Sequence, residues 1–67
     1  MRRILERLES GRPLRTTELA DLGGCSHDFV RKVILAKVLH AERVGRRFAI
    51  PIKEAERFLR EVGALRE

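Results

Sequence analysis

The sequence predicts a mainly α fold carrying one small β-hairpin. Three observations point there. Apolar residues recur at helical spacing through most of the chain, Gly and Pro punctuate those stretches, and between residues 42 and 50 the period shortens to that of strands.

Each element has its own signature. Residues 2–9 place Ile4, Leu5 and Leu8 on one helical face, with Arg and Glu elsewhere. Gly11 is a stop signal, and Pro13 opposes continuation. Thr16 is expected to cap a short helix over residues 17–22, with Leu19, Ala20 and Leu22 facing inward. Gly23-Gly24 breaks it. Ser26 is the next cap, and Asp28 favours the positive end of the helix dipole behind it. The helix over residues 27–39 is expected to bury Val30, Val33, Ile34 and Val38, with Phe29 and Ala36 widening one edge. Its outer face holds Asp28, Arg31, Lys32 and Leu35.

Strands are expected over residues 42–44 and 48–50, with Gly45-Arg46-Arg47 as the hairpin tip. Pro51 ends the second strand and opens a last helix. That helix turns Ala55, Phe58, Leu59 and Val62 inward, and Gly63 closes it. Glu56–Arg60 and Arg57–Glu61 are i, i+4 pairs on its surface.

The chain has 67 residues and a formal net charge of +5. Its length favours one compact domain with a small core, too small to enclose an active-site cavity. The charge is unevenly placed. Residues 1–30 and 48–67 are each neutral, whereas residues 31–47 carry six basic side chains against Glu42 alone. The whole excess therefore falls in one window, the footprint of a polyanion partner such as nucleic acid. A solvated basic surface is the plainer alternative.

Other classes are disfavoured. One Cys allows no internal disulfide and no cysteine-based zinc site. Cys25 with two His and no carboxylate cluster makes no metal or catalytic centre, and Cys25 reads as a small buried hydrophobe. No Gly-rich phosphate loop or nucleophile–base pair is present, so an enzyme and a cofactor are not expected. Phe29, Phe48 and Phe58 are too few and too far apart for a single-strand stacking platform and read as core. No apolar run approaches the ~18 residues of a membrane span. No signal-peptide core follows Met1-Arg2-Arg3, so a cytoplasmic, nucleoid-associated protein is expected. Arg outnumbers Lys 12 to 3 and Asn and Gln are absent, which fits heat adaptation and equally fits GC-rich coding.

Two helices joined by a Gly-containing turn form a helix-turn-helix, and a basic hairpin beside it makes the winged version. The major groove, about 12 Å wide, admits one α-helix. A hairpin tracks phosphates or enters the minor groove.

Residues from Leu14 to about Leu59 resemble the excisionase-like branch of the MerR-type winged-helix DNA-binding domains. The resemblance rests on Leu14, Glu18, Ala20, Leu22, Gly24, Cys25 and Ser26, then Val30 and Ile34, then the run Arg43-Val44-Gly45-Arg46-Arg47-Phe48-Ala49-Ile50-Pro51. It departs where Lys37 replaces a usual Gly and His40 a common Pro. The resemblance implies a short helix, a recognition helix, a two-stranded wing and a closing helix, which the helix over residues 2–9 precedes in the fold expected here. It covers residues 14–67 as the domain and leaves residues 1–13 as an N-terminal helix outside it. It also implies a homodimer or side-by-side array on DNA, in a small transcription regulator or an excisionase-like architectural factor.

The expected DNA-binding residues are Thr16, Ser26, His27, Asp28, Arg31, Lys32, Arg43, Arg46 and Arg47. Arg46 and Arg47 at the wing tip suit phosphate or the minor groove, and Arg43 sits beside them on a strand. Arg31 is the candidate base reader, because Arg to guanine is the commonest specific contact. Lys32 reads as a phosphate neutraliser. Ser26, His27 and Asp28 stand at the helix start, where the DNA backbone can be met. Asp28 repels phosphate, so it is a cap residue or a cytosine reader. Leu35 either touches a thymine methyl or packs on the wing.

The alternative is a protein-interaction module that recruits a polymerase, recombinase or other partner through Ile4, Leu5 and Leu8. Packing of that stripe on the domain's own core is the plainer reading. RNA is disfavoured because narrow A-form grooves exclude a recognition helix.

Overall fold

The computed structural model describes residues 2–65. Met1, Arg66 and Glu67, which belong to the predicted segments 1–13 and 14–67, lie outside the described residues. The order is α1 (Arg2–Glu9), α2 (Thr16–Gly23), α3 (His27–Leu35), β1 (Glu42–Val44), β2 (Arg47–Ala49) and α4 (Ile52–Glu61). About half the chain is helical, and the two strands pair antiparallel.

In α1, Ile4 is buried and Leu8 packs against the core, while Leu5 stays exposed. Most of the predicted stripe is thus covered by the chain itself. The cap of α2 is Arg15, not Thr16. The Arg15 backbone N–H donates to Glu18 Oε1 at 3.3 Å, so the carboxylate three residues on takes the capping role. Thr16, drawn into the first turn, pairs with the ring of His27 instead. At the other end Gly24 adopts φ 67°, and the Cys25 N–H closes onto the Ala20 carbonyl at 3.0 Å. Ser26 caps α3 as expected, its Oγ accepting from the Phe29 N–H at 3.1 Å.

The largest correction lies after α3. The helix stops at Leu35, four residues before the predicted end. Lys37 takes φ 63°, and the N–H groups of Val38 and Leu39 both reach back to the Val33 carbonyl. One left-handed residue shifts the face that follows: Val38, predicted inward, is 56% exposed, and Leu39 takes its place in the core at 2%. Phe29 and Ala36, expected at the buried edge, are exposed as well. α4 holds this turn. Glu54 accepts from the His40 N–H at 3.0 Å, and Arg57 donates to the Val38 carbonyl at 2.8 Å.

The hairpin register also differs by one residue. Val44 pairs with Arg47, so the tip is Gly45-Arg46 alone and Arg47 belongs to β2. Gly45 supplies the positive φ (63°) that a two-residue II′ turn needs at its first central position. Ile50, predicted in the strand, leaves the hairpin and bridges Leu14. The Leu14 N–H donates to the Ile50 carbonyl at 2.9 Å and the Ile50 N–H to the Leu14 carbonyl at 2.8 Å, with both side chains fully buried. This bridge ties the chain before α2 to the base of the hairpin.

Pro51 caps α4, which buries Ala55, Phe58 and Leu59. Val62 falls at the C-cap and remains exposed, and Leu65 fills the inward place after the left-handed Gly63. The predicted surface pairs form, Arg60–Glu56 at 2.6 Å and Arg57–Glu61 at 3.1 Å. Among the described residues, no polar side chain is buried in the core. Of the three Phe, only Phe58 is fully core. Phe48 is half-buried, and the exposed Phe29 tilts against Phe58 at 6.2 Å. Cys25 is half-buried against the core, and burial pushes its thiol up.

Candidate nucleic-acid interface

Three elements converge on one concavity of about 310 Å³. The start of α2 contributes Arg15, Thr16 and Thr17; the first turns of α3 contribute His27 and Arg31; the hairpin contributes Arg43, Arg46, Arg47 and Phe48. His27 and Arg31 share a helix face because they stand four residues apart. The first turns of both α2 and α3 abut the cleft, and helix N-termini carry partial positive charge.

No carboxylate lines this cleft, against five guanidinium groups. None of the five makes an ion pair among the described residues. Five acids of the scaffold are engaged elsewhere: Glu18 by Arg7, Asp21 by Arg3, Glu54 and Glu61 by Arg57, and Glu56 by Arg60. An array of unpaired Arg with no counter-charge is suited to a polyanion that supplies the missing charge.

Three local contacts order the cleft. Thr16 Oγ1 and His27 Nε2 lie 2.8 Å apart and link the starts of α2 and α3. Arg43 lies over the Phe48 ring, 5.7 Å from its centroid, and its Nε donates to the Gly45 carbonyl at 3.3 Å. Stacking and this hydrogen bond hold the guanidinium along the strand.

Of the predicted residues, Thr16, His27, Arg31, Arg43, Arg46 and Arg47 come together here. Ser26, Asp28 and Lys32 are exposed but do not line the cleft. The Ser26 hydroxyl is already used as a cap. Leu35 is 64% exposed and lines a separate cavity with Phe48 and His40.

Arg15, Thr17 and Phe48 were not among the expected residues. Arg15 is hidden in the sequence because residues 1–30 sum to zero charge. Only the pairing of Glu18 with Arg7 reveals it as an unmatched cation. The available signal was its place one residue before Thr16.

Among the described residues, no group of three His, Cys, Asp or Glu side chains could hold a metal ion. No described helix is long and apolar enough to cross a membrane. No family model matches the chain, and no similar curated protein or solved structure was found.

Proposed function

We propose that this chain binds double-stranded DNA as a winged helix-turn-helix, with α2 and α3 as the helix pair and the β1–β2 hairpin as the wing. The observation that carries the reading is the cleft between α3 and the hairpin, lined by five Arg and no acid. The resemblance to the excisionase-like branch of the MerR-type domains, carried by the Arg43–Pro51 run and by residues between Leu14 and Ile34, agrees with it. On this reading α3 enters the major groove and Arg31 reads a guanine edge. Arg43, Arg46 and Arg47 neutralise phosphates or reach the minor groove. The role is that of a small transcription regulator or an excisionase-like architectural factor, with nucleoid association as a consequence. Packing of Ile4 and Leu8 into the core weakens the alternative in which the N-terminal helix recruits a protein partner.

Fluorescence anisotropy on a labelled duplex at several salt concentrations tests the proposal. Each neutralised phosphate lowers log K by roughly 0.9 per tenfold rise in salt, so the three hairpin arginines alone give a slope of about −2.7. Absent binding, or binding indifferent to salt, rejects it.

A further inference from the structure

Arg7 lies on α1, outside the part of the chain that resembles a known domain, and outside the cleft. Its side chain is nevertheless only 16% exposed. Nε donates to Glu18 Oε2 at 2.7 Å, and Nη2 donates to Glu18 Oε1 at 3.2 Å and the Pro13 carbonyl at 3.0 Å. Nη1 donates to Ser10 Oγ at 2.7 Å and the Arg12 carbonyl at 3.1 Å. Arg7 thus grips both oxygens of Glu18 and the two carbonyls of the loop leading to Leu14.

Glu18 is the acid in the first turn of α2, and its Oε1 also accepts the Arg15 N–H. It is therefore the carboxylate closest in sequence to the Arg15 guanidinium. Occupied on both oxygens by Arg7, it leaves that guanidinium unpaired at the edge of the cleft.

We infer that Arg15 is a phosphate contact of this interface and that the Arg7–Glu18 pair is the positioning device that keeps it available. The inference rests on the DNA-binding reading. It makes α1 part of the interface's electrostatics although α1 touches no DNA: Arg7 cancels a charge that would otherwise draw Arg15 back and repel phosphate. Each partner favours the other's charged form. The hydrogen bond to Glu18 raises the Arg7 pKa, and the same bond lowers that of Glu18.

The test uses the full chain and a fluorescein-labelled mixed-sequence duplex of about 25 base pairs, because phosphate contacts need no specific site. Arg15→Ala should weaken binding about eightfold at ~0.1 M salt and reduce the salt slope by about 0.9. Arg7→Gln should weaken binding when Arg15 is present and lose most of that effect in the Arg15→Ala background, where only the weaker repulsion between Glu18 and phosphate remains. Arg7→Gln/Glu18→Gln should restore wild-type affinity. Circular dichroism checks that each variant keeps its helices. Arg15 is exposed, so Arg15→Ala stands as a test even if Arg7→Gln does not fold. Salt-dependent binding by the wild type that Arg15→Ala leaves intact overturns the inference alone. An Arg7→Gln loss of equal size with and without Arg15 does the same. A wild type that fails to bind overturns the DNA-binding reading, and the inference with it.

Discussion

Lys37 holds its backbone at φ 63°, a region that costs an ordinary L-residue roughly 1–2 kcal/mol. Lys37→Gly removes that strain and gives back part of the gain as unfolded-state entropy, about 0.4–1 kcal/mol. The net expectation is a gain of roughly 0.5–1 kcal/mol, seen as a rise of about 2–8 °C in Tm for a domain of this size. Thermal melts of the two proteins decide it. This residue was half legible. The resemblance marks Gly as usual there, but the helical period of residues 27–39 ran straight through it and predicted Val38 inward. At the same scale, Arg31→Ala should cost about 1–3 kcal/mol at one base position and relax specificity there. A selection of bound sequences from random duplexes reads this out. A specificity unchanged by Arg31→Ala would remove Arg31 from the base-reading role.

Among the elements, the hairpin carries the most net positive charge for its length. Its sequence signature was plain, while its register was not: a shift of one residue moved Arg47 from the tip into β2 and Ile50 out of the hairpin. The reason is that Ile50 reaches the core only by pairing with Leu14, a partner 36 positions away that local pattern does not reveal. Arg46→Glu/Arg47→Glu reverses two charges beside Arg43. Binding to duplex DNA should then collapse, with the helical content intact by circular dichroism. Binding that survives would favour a protein partner instead. For α3, the Ser26 cap was legible and is confirmed by its hydrogen bond to the Phe29 N–H. Ser26→Ala should cost about 1 kcal/mol, measured by urea denaturation.

On the scale of the whole molecule, stability of 0.05–0.15 kcal/mol per residue amounts to roughly 3–10 kcal/mol here. Leu14→Ala, at a fully buried site joining the pre-α2 loop to the hairpin base, should cost about 2–5 kcal/mol. That is a large share of the total, and a thermal melt should show the midpoint fall steeply. Acid adds a second expectation. Glu18 and Glu54 both have lowered pKa values, Glu18 through its hydrogen bond to Arg7 and Glu54 through its bond to Arg57. A carboxylate with a depressed folded value contributes stability above the ordinary glutamate range, about 4.3, and loses it as pH falls through the folded value. Tm should therefore drop as the pH is taken below about 4, and Glu18→Gln should flatten part of that drop. A Tm indifferent to acid would count against the Arg7–Glu18 pair.

The sequence by itself determined the presence of the helices and the hairpin, the cap at Ser26, the start of the last helix at Pro51, and the strip between residues 31 and 47 that holds the net charge. These follow from local rules: periodicity, turn chemistry and charge counting operate within a few residues. Tertiary structure alone decided the burial of Leu39 over Val38, the Leu14–Ile50 bridge and the inclusion of Arg15 in the cleft. Each depends on a partner distant in sequence. Whether a charge is free or matched depends on three-dimensional pairing, and the Arg7–Glu18 pair across the α1–α2 loop is what turns a neutral segment into one with an unmatched cation.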